Sequence, residues 1–437
     1  MKEQMLDSLE TNIFGSLKTT FAGYDGPAFS IRLWNGAQWF SSVNRRPSCT
    51  ILVANPRSLV TLISEPNETA LGEAFVQGDL DVQGDIFAMF SVSEHLLRRP
   101  RTLQQKISER LARTAHGAGQ RWKHGAPNSR ARDSASIAYH YDQPLAFFEP
   151  WLGSSLVYSC AYFHDPQDAL DAAQRQKLEH ICRKLRLNPG ERFLDIGCGW
   201  GSLLLHAAGE YQAEAEGVTL SHAQAEATQH RIKNAQLDGF CRVSLRDYRD
   251  LASHGKQFDK IASVGMYEHV GLHNLPLYFG IASRLLRPGG LFLNHGIARS
   301  TLSPCRESSF VDRYVFPTGH LVTLSQTLSA AEAAGFEVRD VENLREHYEL
   351  TLRRWAEGLM RNAGEVLQYV SKTTYRIWLL YMAGSAAAFQ RGDIGIYQVL
   401  LSRPDHGNSG LPLTRRHLYA NAPLKESESL VAPMEEL

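Results

Sequence analysis

Three glycines at alternate positions stand out in the stretch LDIGCGWG (194–201), where an apolar run gives way to a helix-like segment. Glycines at 197, 199 and 201 let a backbone approach a ligand closely, and the N-terminus of the helix behind them favours a carboxylate or phosphate. Alternating glycines also form tight turns that bind nothing. Asp195 before the loop and the strand pattern after it favour a nucleotide-like cofactor over a bare turn.

The spacing of this loop discriminates between cofactors. A dinucleotide-binding unit has G-x-G-x-x-G and an acidic residue at the end of its second strand. Here the third glycine comes one residue early, and the second strand ends in GVTLSHAQ (217–224), without an acid at its tip. The loop resembles that of class I S-adenosylmethionine (SAM) methyltransferases instead, so NAD is the weaker interpretation.

A single cysteine, Cys160, lies among aromatic residues in VYSCAYF (157–163). No partner spacing supports a disulfide or a zinc site, and no adjacent base in the sequence activates the thiol. His269 and His273 form a pair four residues apart, but Gly271 weakens that helix and no third ligand is evident. The sequence therefore predicts no metal site.

These residues lie in a segment that alternates between strand and helix patterns, with helical stretches between the first four strands. Strands are predicted at 191–198, 213–220, 241–248, 258–266 and 289–297. This order predicts a parallel α/β sheet. The resemblance of the glycine loop implies that the sheet is of the class I SAM-methyltransferase, Rossmann-like type. The helix before it, 172–187, places Leu178, Ile181, Cys182 and Leu185 on one face, which indicates core.

Composition shifts predict four parts of the chain. Short apolar runs and turn residues predict a small α+β N-terminal domain over residues 1–115, and Gly, Ser, Pro and Arg predict a basic flexible linker at 116–136. The catalytic domain is expected at 137–402, mostly helical from about 344 to 400. A polar tail at 403–437 follows.

The chain has no net charge that would attract it to nucleic acid, because Lys+Arg and Asp+Glu both number 46. Locally the charge is uneven: residues 1–96 carry eleven acids and six bases, whereas 98–132 carry ten bases and one acid. Six cysteines without C-x-x-C and an N-terminus without an apolar signal core predict a cytoplasmic protein with reduced thiols. The longest weakly polar run, 378–389, is too short to span a bilayer.

Seven motifs, taken in order, resemble one family. The chain carries VYSCAYF, LDIGCGWG, GVTLSHAQ, DYRDL (247–251), SVGMYEHVG (263–271), FLNHGI (292–297) and HYELTLRRW (347–355). The set resembles the cyclopropane-fatty-acyl-phospholipid synthase family of SAM-dependent methyltransferases over about residues 138–402. GEAFVQGDLDVQGDI (72–86) extends the resemblance faintly into the N-terminal part.

The resemblance implies a reaction and a base. An alkene of a fatty chain attacks the methyl group of SAM, a carbocation forms, and loss of a proton from the transferred methyl closes a cyclopropane ring. The implied base is a bound bicarbonate, held by Cys160, Glu268, His295, the backbone amide of Ile297, and Tyr348. His295 and Tyr348 can donate hydrogen bonds to an anion, and Glu268 can accept one from its hydroxyl.

The resemblance also implies which residues bind SAM. Tyr158 and Ser159 approach the methionine, the glycine loop meets its amino-acid end, and residues 219–224 meet the ribose and adenosine. The full implied set is Tyr141, Tyr158, Ser159, Asp195, Gly197, Cys198, Gly199, Trp200, Gly201, Thr219, Leu220, Ser221, Gln224, Tyr248, Arg249 and Val264.

Two departures from the family pattern concern activity. In YHYDQPLAFF (139–148), which corresponds to the family's lid over SAM, Gln143 and Pro144 replace the usual residues around Gly-Asn, and Pro144 has no N–H to donate. Ser385 stands where the family often has a cysteine. Because a cation route needs no covalent thiol step, activity is expected to survive.

The expected function is cyclopropanation of unsaturated phospholipid acyl chains by a cytoplasmic protein bound peripherally to the inner face of the membrane. The bases of 98–132 are candidates for contact with an anionic surface, and the alternative is a solvated linker. The family is often dimeric. Rival functions are a methyl-branched or hydroxylated product, methylation of a heteroatom, and a silent SAM- or lipid-binding protein.

Such a reaction needs a dry wall and a stabilised cation. The candidate aromatic faces, of which only a minority is expected to line the site, are Tyr267, Tyr314, Phe316, Tyr348, Trp355, Tyr375, Trp378, Tyr381 and Phe389.

Overall fold

The structure is a computed structural model that describes residues 2–64, 66–98, 143–301, 310–316 and 321–419. The linker predicted at 116–136, Tyr141 of the lid, and the last part of the predicted tail lie outside these ranges. Within the described ranges, no helix combines the length and the apolar character that crossing a membrane requires.

The N-terminal part is α+β, as predicted. After helix α1 (Lys2–Thr20), four strands form a sheet in the order β2-β1-β3-β4. The strands are β1 (Phe29–Arg32), β2 (Gln38–Phe40), β3 (Cys49–Val53) and β4 (Leu80–Gly84), and the helices beside them are α2 (Pro56–Ile63), α3 (Glu68–Gln77) and α4 (Ile86–Leu97). Asn55, Asn67 and Asp85 cap these three helices with side-chain oxygens, which fixes where each begins.

The second sheet has seven strands in the order β10-β11-β9-β8-β5-β6-β7. The predicted parallel strands are confirmed as β5 (Arg192–Ile196), β6 (Glu214–Thr219), β7 (Cys241–Leu245), β8 (Phe258–Val264) and β9 (Leu286–Arg299). The strand order reverses between β5 and β8. In an open α/β sheet, this is where a crevice forms beyond the carboxyl ends of the strands.

Helices cover both faces of this sheet. They are α6 (Leu170–Leu185), α7 (Ser202–Tyr211), α8 (His222–Asn234) and α9 (Leu275–Leu285), with 3-10 turns at Tyr248–His254, Tyr267–His269 and Leu272–Asn274. Helix α5 (Leu145–Leu152) precedes them and packs against later helices. The predicted inner face of α6 is confirmed, because Leu178, Ile181, Cys182 and Leu185 are all buried. Cys182 is therefore core.

The prediction that 344–400 is mostly helical is wrong at its end. Short helices α10 (Phe310–Tyr314) and α11 (Leu324–Ala333) and strand β10 (Glu337–Asn343) lead to α12 (Arg345–Arg361), α13 (Ala363–Val366) and α14 (Lys372–Arg391). Strand β11 (Ile394–Ser402) then pairs antiparallel with both β9 and β10. It is buried on both faces, and such a run lacks the alternation that identifies a strand in a sequence.

Residues 403–419, which the sequence assigns to a polar tail, contact the second sheet. Helix α15 (Arg416–Tyr419) buries Leu418, and Arg415 forms an ion pair with Asp340 at 2.7 Å. These contacts place the end of the described chain beside strand β10.

The N-terminal part packs against the helices that connect β10 to β11. Arg376 of α14 is buried, and its guanidinium donates to the carbonyl oxygens of Phe75 at 2.6 Å and Leu80 at 2.9 Å and to the carboxylate of Asp81 at 3.1 Å. Phe75 shares one apolar core with Trp355 of α12. The described residues of the N-terminal part therefore support α14 and the apolar core that it shares with α12.

Candidate functional site

A cavity with about 1260 Å³ of empty space, part of it open to solvent, lies at the point where the strand order reverses. Most of the residues predicted to bind SAM line it. These are Tyr158, Ser159, Asp195, Gly197, Cys198, Gly199, Trp200, Thr219, Leu220, Gln224, Tyr248, Arg249 and Val264. The structure therefore brings together five separate sequence motifs at one pocket.

Gly201 and Ser221 shape this pocket without lining it. Gly201 precedes α7 in the left-handed region, with φ of 81°, and a side chain there would overlap Thr228. Ser221 caps α8 by accepting a hydrogen bond from the Gln224 amide at 3.3 Å. Both predicted residues act through the backbone of the elements that carry the lining residues.

The glycine loop has a conformation that only glycine adopts readily. Gly197, Gly199 and Gly201 all have positive φ, and a side chain at Gly197 would also collide with Met266. The amides of Gly197 and Cys198 both donate to the Val218 carbonyl oxygen, at 2.9 and 3.1 Å. The loop is thereby fixed against β6 and leaves open space for a ligand.

Lys177 is a pocket residue that the sequence did not predict. It is buried on α6, and its ammonium donates to the Ser159 hydroxyl at 2.9 Å. Burial lowers the pKa of Lys177 to about 8, and burial raises the pKa of nearby Asp195 to about 7. A lysine on an amphipathic helix is usually exposed to solvent. Only the spacing of Lys177 relative to the apolar Leu178 and Ile181 could have indicated that it is buried.

The residues implied to hold an anion lie beside this pocket, in two groups. In the first, Glu268 follows β8 and its Oε1 accepts the Ile297 amide hydrogen at 2.8 Å. His295 lies on β9, two residues before Ile297, and is fully buried. The Ile297 amide, implied as an anion contact, donates to Glu268 in this structure and so orients the carboxyl group.

The second group joins Cys160 to Tyr348. The Cys160 thiol lies 3.9 Å from the Leu344 carbonyl oxygen, which also accepts the Tyr348 amide hydrogen at 3.1 Å. The amide of Leu344 in turn donates at 2.8 Å to Ile396, which is opposite Ile297 in the sheet. These links connect the second group to Ile297 and, through its amide, to Glu268 of the first group.

Two buried polar atoms of the first group have no hydrogen-bond partner among the described residues. They are Oε2 of Glu268 and Nε2 of His295. Such atoms are costly unless a ligand or water satisfies them. Their position beside the pocket therefore favours a small polar ligand.

Burial sets the protonation states of the Glu268, His295 and Cys160 side chains. It raises the pKa of Glu268 to about 7, lowers the pKa of His295 well below its usual range, and raises the pKa of the Cys160 thiol. Near neutral pH the histidine is therefore uncharged and the cysteine is a thiol. A thiol of this kind is no nucleophile.

An aromatic shell connects the two regions. Tyr158 lines the pocket and packs against Trp355 and Trp378, with ring centroids 5.0 and 5.9 Å apart. Tyr381 hydrogen-bonds Tyr158 and lies within electrostatic reach of Glu268. Of the predicted aromatic residues, Tyr267, Tyr348, Trp355, Trp378, Tyr381 and Phe389 are buried, whereas Tyr314, Phe316 and Tyr375 are partly exposed.

Across the described ranges, no group of three or more His, Cys, Asp or Glu side chains is arranged to hold a metal ion. His269 lines the pocket alone of the predicted histidine pair, and burial lowers its pKa to about 4.

Comparison with known proteins yields consistent matches. Residues 128–399 match the family described as mycolic acid cyclopropane synthetase. A probable fatty acid methyltransferase of Pseudomonas putida is 40% identical over 89% of this chain and 95% of its own length. The cyclopropane-fatty-acyl-phospholipid synthase of Escherichia coli K12 is 34% identical over 83% of this chain and 90% of its own length.

A solved structure shares the fold of the second sheet and its helices. The mycolic acid cyclopropane synthase CmaA1, complexed with SAH and CTAB, is 32% identical, with a TM-score of 0.59. The match covers 61% of this chain and 97% of that one. The class I SAM-methyltransferase fold predicted from the sequence is thus confirmed.

Proposed function

The chain belongs to the mycolic acid cyclopropane synthetase family of SAM-dependent enzymes, and from this premise we propose that it adds a methylene group from SAM across the cis double bond of an unsaturated phospholipid acyl chain. The observation that carries the proposal is the pair of buried polar atoms on Glu268 and His295, next to the pocket, that no other described residue satisfies. A methyl transfer that ended without loss of a proton would not need a site for a base there.

The pocket residues fit SAM. Only glycine fits at 197 and 201 of the loop, because a side chain there would collide with Met266 or Thr228. Ser159, held by Lys177, is a polar contact for the amino-acid end of SAM. SAM supplies the electrophilic methyl group when bound. The chain contributes position, because an alkene is a weak nucleophile and must be aligned with that methyl group.

Lys177→Met should weaken the binding of S-adenosylhomocysteine (SAH) about tenfold, because Ser159 loses the charged donor that fixes it. Isothermal titration with SAH measures this change without any turnover. Lys260→Met is the matched control, since Lys260 is also buried but pairs with Glu191 at 3.7 Å away from the pocket. Equal SAH affinity in wild type and Lys177→Met would contradict the assignment.

The residues around the end of β9 fit bicarbonate. Nε2 of a neutral His295 can donate to the anion, Oε2 of Glu268 can accept from its hydroxyl, and the Cys160 thiol forms an uncharged wall. When bound there, bicarbonate supplies the base for a proton of the transferred methyl group. Burial keeps water from competing for the cation, and aromatic faces such as that of Tyr158 stabilise it by about 1–2 kcal/mol each.

Cys160→Ser should retain activity within roughly tenfold of wild type, because a serine hydroxyl can replace a neutral thiol as a weak donor. Turnover of SAM with lipid vesicles tests this, and titration with SAH shows whether wild type and variant bind the cofactor equally well. If the variant lost all turnover while SAH still bound, a nucleophilic role for the thiol would have to be considered again.

We also propose that the protein acts at the surface of a bilayer, on its cytoplasmic side, and as a homodimer. The ten bases in 98–132 support attraction to anionic lipid, and a substrate buried in a membrane requires peripheral docking. A higher rate on anionic vesicles than on zwitterionic vesicles at low salt is the expected signature.

The test of the function is incubation with SAM and vesicles of unsaturated phospholipid, followed by mass spectrometry of the acyl chains. A product that is heavier than the substrate by one CH2 and resists mild hydrogenation supports cyclopropanation, because a reduced methyl branch would carry two further hydrogen atoms and a hydroxylated chain would carry the elements of water as well. The alternative, a methyl-branched or hydroxylated chain, is favoured by the name of the Pseudomonas putida relative, a probable fatty acid methyltransferase. No added carbon would eliminate both, leaving heteroatom methylation or a silent binding protein.

A further inference from the structure

Gln398 of β11 lies directly opposite His295 of β9 in the antiparallel register. Opposite residues of an antiparallel pair present their side chains on the same face. Both residues are fully buried, and Nε2 of Gln398 lies 3.4 Å from Nδ1 of His295. The hydrogen-bond partner of Nδ1 in this buried, neutral histidine is therefore the side-chain amide of Gln398.

The chemistry of an amide nitrogen decides the histidine tautomer. In this structure the NH2 group of Gln398 faces Nδ1 of His295 and can only donate, so Nδ1 accepts and the ring proton is on Nε2, while Oε1 of Gln398 has no partner among the described residues. Nε2 is the atom of His295 that has no partner among the described residues. The ring thus carries its one donor on the atom left for a ligand.

The register continues one strand further. Glu342 of β10 is the partner of Gln398 on its other side, and its carboxylate is held by His180 at 2.7 Å and Lys184 at 2.5 Å. These bonds engage Glu342 with the inner face of α6. A carboxylate at position 398 would accept from Nδ1 and reverse the tautomer, which gives a reason for an amide there.

We propose that Gln398 is a positioning residue that fixes the Nε2–H tautomer of His295, so that His295 presents a hydrogen-bond donor to the anion of the reaction. This inference rests on the proposed function for the identity of the anion, but the tautomer itself does not depend on turnover. The residue acts through His295 and does not contact the reacting atoms.

The test is a two-bond proton–nitrogen correlation spectrum of the full-length protein with nitrogen-15-labelled histidine, with His295 assigned from the signal missing in His295→Asn. Wild type should show the Nε2–H tautomer, and Gln398→Met should show a mixture of tautomers. The KM for bicarbonate should rise roughly three- to tenfold in Gln398→Met, with SAH affinity unchanged. Ser402→Ala, which removes a buried hydrogen bond to Ser409 from the same strand, should change neither.

An Nδ1–H signal for His295 in wild type would overturn the inference, as would an unchanged spectrum in Gln398→Met or an equal effect of Ser402→Ala. If Gln398→Met does not fold, the wild-type tautomer decides alone. If wild type adds no carbon to lipid, the proposed function fails, and the spectrum still supports or overturns the role of Gln398.

Discussion

Glu268→Gln should lower turnover by roughly two to three orders of magnitude while SAH binding stays unchanged. The amide keeps the acceptor for the Ile297 amide hydrogen but puts a donor in place of Oε2, which has no partner in the described part of the chain. A donor there cannot accept from the hydroxyl of the base, and positioned acid–base chemistry contributes factors of this size. Single-turnover rates with vesicles and titration with SAH measure the two effects separately.

Glu216→Gln is the matched control for turnover. Glu216 is also buried, but its carboxylate pairs with Arg242 at 2.6 Å, and it lies outside the residues that line the pocket. Its loss should leave the rate per folded molecule unchanged. A Glu268→Gln enzyme as active as Glu216→Gln would contradict the role of Glu268.

The same substitution should make the protein more stable at pH 8. Burial raises the pKa of Glu268 from 4.5 to about 7, so the folded state holds a proton that the unfolded chain releases between these values. Stability is therefore lost as pH rises from about 4.5 to 7, and at pH 8 the full cost, on the order of 3 kcal/mol, is present. Glu268→Gln removes this cost.

Urea denaturation of both proteins between pH 5 and 8 measures this difference. The advantage of Glu268→Gln in the free energy of unfolding should grow up to about pH 7 and then level off. A constant difference across this range would show that Glu268 does not titrate in the folded protein as described.

Gly296→Ala should destabilise the fold by about 1–3 kcal/mol and abolish activity. A methyl group at Gly296 would overlap the ring of Tyr267 and lie 3.3 Å from Oε1 of Glu268. The ring cannot simply move away, because the Tyr267 hydroxyl donates to the Ile297 carbonyl oxygen at 2.9 Å and the side chain is buried. Moving it displaces Glu268 from the end of β9.

Gly280→Ala is the control for this substitution. Gly280 lies inside α9, and a methyl group there meets no described atom within 4 Å beyond the backbone of its own helix and its chain neighbours. Alanine in a helix is favoured over glycine by about 0.5–1 kcal/mol, so this variant should be as active as wild type and slightly more stable. Thermal melts of both variants would contradict the account if Gly296→Ala melted at or above the wild-type temperature.

Most of the residues that the sequence assigns to cofactor binding line one pocket, and the determinants of this pocket are local. The loop around Gly197, Gly199 and Gly201 is contiguous, and its conformation follows from residue type. Cys182 was assigned to the core from the spacing of apolar residues on one helix, and this is confirmed. Short-range patterns therefore suffice where one element supplies the whole argument.

Other features depend on contacts between residues distant in the chain. Gln398 meets His295 only because β11 enters the sheet between β9 and β10, and a strand buried on both faces shows no alternation. Lys177 and Arg376 are buried by partners in other elements, although charged side chains are normally exposed. The hydrogen bond between Glu268 and the Ile297 amide likewise depends on where β8 ends beside β9, and neither motif alone indicates it.

The central claim is that the carbocation is resolved by loss of a proton from the transferred methyl group. Turnover of vesicles with SAM carrying a fully deuterated methyl group tests it directly, with mass spectrometry of the acyl product before and after mild hydrogenation. The account predicts a product that keeps two of the three deuterium atoms and is unchanged by hydrogenation. A product that keeps all three, as a methyl branch or an alcohol would, contradicts it.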